Sequence, residues 1–320
     1  MSMCIEGLGV VSTAGNGLGA LAGAGRAALG GRGAPRAVLA DTEALSGHLP
    51  PRALRRTDHF TRMTLLAAYM ALEDAGEKTA GPETGIVLAT GYGPSRLTFD
   101  FLDSLLDFGP DMASPQAFAH SVHNIPAATV AVMMGVTGPC TTICQPDTAV
   151  AAAFLTARTW MAEGRVERVL LGAVDERMDL LEDNVRRLAG EIPAGTSGGQ
   201  RTLPLGDGAV FFCLHREMKK RGRAFVRVPA FSTGDAGEPV FFSGRASAER
   251  RAAFPSFDLS PAYGNTPVYQ LVHSVCATSG DDYSTLDSPI LHFSADYSSI
   301  QHFHHIFIRR FFPDKSHTVT

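Results

Sequence analysis

Apolar residues are distributed along this chain in two alternating ways. Short unbroken apolar runs bounded by glycine read as buried strands. Longer stretches with apolar residues every three or four positions read as helices. The opening "CIEGLGVVSTAGNG" predicts a strand turning through Gly and Asn into a small-residue helix, roughly Leu18 to Leu29. Within "PRALRRTDHFTRMTLLAAYMALEDAG", Leu65, Leu66, Tyr69, Met70 and Leu72 recur at helical spacing and Gly76 closes the helix. "TGIVLATGYG" is a buried strand with a glycine loop. "PSRLTFDFLDSLLDFG" is a helix with Leu97, Phe101, Leu105 and Leu106 on one side.

A helix from Ile125 to Val136 stops at Gly135 and the Gly138-Pro139 turn. "CTTICQ" is a strand, "DTAVAAAFLTARTWMAEG" a helix with Asp147 as N-cap, "RVERVLLGAVDE" a strand, and "LPLGDGAVFFCLHREMKKRG" a strand running into a basic helix end. This alternation predicts a mostly parallel sheet covered by helices. From Ala224 onward strands return in "AFVRVPAFSTG", "EPVFFSG", "PILHFSA" and "QHFHHIFIRRFF", with one helix, "TPVYQLVHSVCA", which fits a smaller second copy of the same layered unit. "IPAGTSGGQRT" (Ile192 to Thr202) reads as a loop.

Composition narrows the function classes. With 45% hydrophobic and 19% charged residues among 320, the chain is globular rather than disordered. A net charge of −4 and the lack of a long Lys/Arg run argue against a nucleic-acid partner; the densest basic patch, "REMKKRGR" (Arg216 to Arg223), reads as a solvated helix end. No apolar run is long enough to span a membrane, and "MSMCIEGLGVV" is not built like a signal peptide, so a cytoplasmic protein without membrane insertion is expected. The five cysteines (Cys4, Cys140, Cys144, Cys213 and Cys276) lack zinc-finger spacing and are expected to be reduced, buried thiols.

Three places could carry chemistry. "ATGYGPSR" joins a strand to a helix as phosphate-cradling loops do, but it lacks the full GxGxxG pattern and reads as a tight turn. "QHFHHIFIRR" alternates His302 and His304 on one strand face with His305 on the other, with no neighbouring carboxylate or cysteine to complete a metal site. The third place is the helix entrance "QPDT". A helix N-terminus carries partial positive charge and lowers a thiol's pKa, but here the residue is Asp147, whose plain role is capping.

Around that entrance the sequence resembles the thiolase-fold β-ketoacyl synthases, the condensing enzymes of fatty-acid and polyketide synthesis. The resemblance rests on "GLGVVSTAGNG", "RMTLLAAYMALEDAG", "GIVLATGYG", "SPQAFAHSVHNIPAATVAVMMGVTGP" and "LPLGDGAVFFCLHREMKKRGRAFVRV", in that order, with Asn124 fourteen residues before Gly138. It implies an α/β, thiolase-like fold: two βαβαβ-type halves in α-β-α-β-α layers, with residues 1–222 as one half and residues 223–320 as a truncated second half, forming one compact unit. In active members the cysteine nucleophile lies nine positions beyond the glycine matching Gly138, which here is Asp147. The two histidines that hold the thioester carbonyl would fall at Ser243 and at Asn265, and the glycine-rich loop would fall around "SADYSSIQ", where it is missing.

Loss of nucleophile, both histidines and the supporting loop together argues against condensation. The pattern resembles the chain-length factor, the silent partner of ketosynthase heterodimers in polyketide and polyene pathways. That resemblance implies an active ketosynthase and an acyl carrier protein as partners. It implies no cofactor of its own, the carrier's phosphopantetheine being handled by the partner subunit. It places "CTTICQ" (Cys140, Thr142, Cys144, Gln145) at the subunit interface and Phe101, Phe118, His120, His123, Met133 and Met134 along the acyl tunnel. A different reading keeps chemistry on the same scaffold: an acyltransferase or thioesterase with Cys144 or Cys140 as acyl acceptor and His120 or His123 as base. A third is a homodimeric thioester-binding module.

Overall fold

The computed structural model describes residues 2–13, 15–17, 20, 39–55, 57–145, 149–181, 207–217, 224–227, 290–295 and 304–309. In chain order these form β1 (Ser2–Ser12), α1 (Pro51–Leu54), α2 (His59–Asp74), β2 (Gly85–Thr90), α3 (Ser95–Phe108), α4 (Pro115–Ser121), α5 (Ile125–Met134), β3 (Cys140–Cys144), α6 (Ala149–Ala162), β4 (Arg168–Asp175), β5 (Gly208–His215), β6 (Ala224–Arg227), β7 (Ile290–Ala295) and β8 (His304–Arg309). Short 3-10 turns occupy Glu43–Gly47 and Pro110–Met112.

The strands make one eight-stranded sheet in the order β3-β2-β4-β5-β1-β6-β8-β7. Only β2–β3 and β2–β4 are parallel; the other five pairings are antiparallel. The expectation of a mostly parallel sheet is corrected by β5, which inserts antiparallel between β4 and β1. Strands β1, β2, β3 and β4 nonetheless run the same way, so their C-terminal ends share one edge. The described strands of residues 223–320 continue this sheet through β6 on β1. "EPVFFSG", "TPVYQLVHSVCA", the helix expected from Leu18 and the loop from Ile192 lie outside the described residues.

Local chemistry explains the ends of α2. Asp58 caps it, accepting from the Thr61 N–H at 2.8 Å and the Thr61 hydroxyl at 2.7 Å. At its C-terminus Gly76 adopts φ +75, with Gly76 N–H donating to Glu73 O and Glu77 N–H to Leu72 O. This paired closure satisfies two carbonyls that the helix leaves open.

Helices cover both faces of the sheet. On one side α2 and α5 bury Phe60, Met63, Leu66 and Val130 against Leu88, Leu170 and Phe211. On the other, α6 buries Phe154, Ala157 and Met161 against Val87, Leu171 and Phe212, with the Phe154 and Phe212 rings 5.8 Å apart. Buried on both faces, β2 reads as a continuous apolar run, which is why its sequence shows no alternation. Gly7 and Gly9 of β1 let α2 approach closely: a Cβ on Gly9 would stand 1.9 Å from the Ala67 carbonyl oxygen. A bulge between Ile5 and Gly7 breaks the ladder, and the Leu8 N–H turns to Asp74 at 2.9 Å.

Candidate functional site

The parallel strands β2, β3 and β4 end side by side at Thr90, Cys144 and Asp175. In open α/β sheets such an edge is where ligands are met. Asp175 is fully buried at its centre. Its carboxylate accepts from the Thr90 hydroxyl at 2.8 Å, the Gly91 N–H at 3.0 Å and the Tyr92 N–H at 3.2 Å. The Gly93 N–H in turn donates to Thr90 Oγ1, and Gly93 takes φ +65. The "ATGYGPSR" turn therefore spends its N–H groups on an internal carboxylate, consistent with a tight turn rather than a phosphate cradle. Burial pushes the Asp175 carboxyl up to about 7, outweighing the Thr90, Gly91 and Tyr92 hydrogen bonds that favour the anion.

Beside it lies a second group of ionisable side chains, built around the buried carboxylates of Glu176 and Asp207. Glu176 accepts from the Arg96 N–H at 3.3 Å and pairs with Arg96 Nε at 3.7 Å. Burial raises its carboxyl to about 7; Arg96 pulls it down, while Asp207 and Asp58 push it further up. Asp207 is fully buried and accepts from the Arg177 and Ala40 N–H groups, with His59 Nε2 at 2.9 Å. His120 Nδ1 lies 2.9 Å from Asp58. These bonds tie the starts of α2 and α3, helix α4, the end of β4 and the approach to β5 to one another. Sequence reading missed Asp175, Glu176 and Asp207; the one local signal was the acidic pair "DE" closing an otherwise apolar strand.

The residues expected from sequence separate into groups. The expectation of buried thiols holds for Cys4 and Cys213 but is corrected for Cys140 and Cys144, which are exposed because they sit at the ends of β3, an edge strand among the described residues, with Thr142 between them and the Gln145 N–H continuing the strand to Thr90 O at 3.0 Å. Cys144 Sγ lies 3.7 Å from Gly91 O. Although their surfaces reach solvent, partial desolvation pushes both thiols up, and for Cys144 the Asp175 carboxylate adds to it. Both shifts disfavour the thiolate, which counts against the acyltransferase or thioesterase reading. His123 is exposed and its ring stands against Gly93.

Phe101 and Phe118 meet, with ring centroids 5.2 Å apart. Met133 and Met134 instead pack, half-buried, against the α2 side of the core. Asp147 falls two residues before α6, but its own placement, like Ser243, Asn265 and His302, lies outside the described residues. His304 and His305 begin β8. Among the described residues no helix is long and apolar enough to cross a membrane.

Comparison with known proteins bears on this geometry. Residues 33–183 match the family described as Beta-ketoacyl synthase, N-terminal domain. A stretch of 134 residues, 41% of the chain, is 31% identical to the putative polyketide beta-ketoacyl synthase 2 of Streptomyces virginiae; the match spans 33% of that protein's length.

Among solved structures, a type II PKS acyl-carrier protein in complex with its ketosynthase bound to the hexaketide superposes with a TM-score of 0.75 at 16% identity, over 97% of this chain and 99% of that one. The ishigamide ketosynthase/chain length factor gives 0.69 at 19% identity, over 97% and 99%. A ketosynthase in complex with its chain length factor from Xenorhabdus doucetiae gives 0.59 at 12%, over 96% and 99%. The fold is the thiolase-like α/β fold of the ketosynthases.

Proposed function

We propose that this chain is a chain-length-factor-like ketosynthase subunit that forms no carbon–carbon bond itself. It pairs with an active β-ketoacyl synthase and bounds the tunnel holding the growing acyl chain in polyketide-, polyene- or fatty-acid-type synthesis. One observation carries the reading: on a ketosynthase scaffold, the position nine residues beyond Gly138 and two before α6 is Asp147. A carboxylate at a helix N-terminus is stabilised as an anion and is a weaker nucleophile for it. A thiolate in that place would be favoured and reactive.

Other features agree. Ser243 and Asn265 stand where the resemblance expects histidines, and desolvation pushes the β3 thiols up, away from the thiolate. Among the described residues β3 is an open edge, and an open edge of this kind is ordinarily covered by a partner strand. In this reading the Phe101–Phe118 pair limits acyl length by filling volume, and the partner subunit handles the phosphopantetheine of a cytoplasmic acyl carrier protein.

The test is co-expression with a ketosynthase encoded beside this gene. The two should co-purify, the pair should elongate malonyl units, and Phe101→Ala should lengthen the product. Unaided condensation by the purified chain would overturn the proposal, as would failure to pair together with an unchanged product length.

A further inference from the structure

Helix α3 is poorly supported by the described part of its own chain. None of its fourteen residues is buried, although seven are apolar. Leu106 is 82% exposed, and Phe108 and Met112, just beyond it, are 68% and 70% exposed. Leu102 precedes Leu106 by four residues and Asp103 precedes it by three, so the three side chains share one patch of the helix surface.

The charges are equally one-sided. Asp100, Asp103 and Asp107 recur at three- and four-residue spacing, so like charges stand beside one another on a single stripe. Asp107 also stands in the last turn, where the helix dipole disfavours an anion. None of the three has an ion-pair partner among the described residues. Arg96 is turned to Glu176 at the far end, and no Lys or Arg occurs between Arg96 and Arg158. Local energetics thus count against α3 on two grounds, uncovered apolar surface and unbalanced negative charge. A single kind of neighbour offsets both.

We infer that the Leu102–Leu106 and Asp103–Asp107 face of α3 docks a basic amphipathic helix of a partner protein, with apolar side chains on the leucines and Lys or Arg along the aspartates. Charge complementarity selects this occupant. A second copy of the same face would set acid against acid, and an anionic membrane surface or nucleic acid would be repelled. The inference stands on α3 alone. It does not require Asp147 to be silent, and the proposed subunit role does not require this face.

The test titrates the full chain against a dye-labelled leucine–lysine amphipathic peptide about 18 residues long, enough to form a helix. A companion peptide carries glutamate at each lysine. Fluorescence anisotropy should show the lysine peptide binding and the glutamate peptide not. The double variant Asp103→Lys/Asp107→Lys should shift the ratio of the two affinities at least about tenfold toward the glutamate peptide. Leu106→Ser should weaken the lysine peptide without changing its salt dependence. Circular dichroism on each variant checks that the fold is kept, which is expected because these positions are exposed.

Two results would overturn the inference. One is no binding to the unmodified chain, as when a basic segment of the chain itself already covers α3. The other is an affinity ratio that charge reversal leaves unmoved. Either would leave the condensation and pairing experiments untouched.

Discussion

The Asp175 carboxylate stands 2.8 Å from the Thr90 hydroxyl, fastening the end of β4 to the turn that launches α3. Gly91 and Tyr92 add their N–H groups to the same carboxylate, so one buried side chain holds a whole turn. Asp175→Ala leaves these donors unpaired away from water and should cost about 3 kcal/mol. Asp175→Asn keeps one acceptor oxygen and should cost about 1 kcal/mol. The midpoint of urea unfolding measures both.

Stability should fall as pH rises from about 4 to about 7. In the folded chain Asp175 and Glu176 titrate near 7, far above their usual 3.8 and 4.5. Between those values the native state keeps protons that the unfolded state has released, so each step upward in pH favours unfolding. Above the folded values the contribution levels off. Asp175→Asn with Glu176→Gln should flatten the slope. Arg96→Met removes the charge that holds Glu176 down, so the fall should extend to higher pH. Unfolding midpoints measured across this range decide the matter.

Much of this architecture could be read locally. The apolar runs at Gly85–Thr90 and Arg168–Asp175 announced strands, and Gly76 and Gly135 marked the ends of helices as expected. Asp147 stood out only because its flanks were those of a nucleophile. What local pattern cannot carry is partner choice. Nothing within "GAVFFCLH" says that it slots between β4 and β1, because pairing is settled by the competition of distant strands for the same edge. Asp175 drew no reading of its own within the apolar strand it ends, because its role depends on a turn 85 residues earlier in the chain. The resemblance singled out Phe101 and Phe118 as separate bulky residues, not as a touching pair, since that contact depends on the fold of the turn from α3 to α4.

Gly9→Ala should be among the most damaging single-methyl changes in the chain. Its Cβ would press 1.9 Å from the Ala67 carbonyl oxygen and 2.6 Å from the Ala71 nitrogen, both backbone atoms of α2 that cannot rotate away. Relief requires lifting α2 off β1, uncovering Leu66 and Phe211 on the same side of the sheet. Overpacking against side chains costs about 1–3 kcal/mol, and against backbone the loss should reach about 3 kcal/mol or more. Thermal unfolding should show it, with Gly164→Ala as a control where nothing lies within 4 Å of the added methyl and only the cost of φ +70 is felt.

Placing a thiol where the resemblance expects one should separate acylation from condensation. Asp147→Cys places a thiol two positions before α6 in the sequence, and in the proposed reading the partial positive charge of the helix N-terminus lowers its pKa. Incubated with an acyl thioester, the variant should gain the mass of one acyl group as the thiolate attacks the carbonyl and the carrier thiol leaves. The unmodified chain should gain none at this position. Carbon–carbon bond formation needs more: malonyl decarboxylation leaves an enolate whose oxygen must be met by donors, and Ser243 and Asn265 stand where the resemblance expects the histidines for that work. The acylated variant should therefore stall, releasing no condensed product from malonyl carrier protein by mass spectrometry. A condensed product from Asp147→Cys alone would mean that other residues of this chain already supply the missing donors.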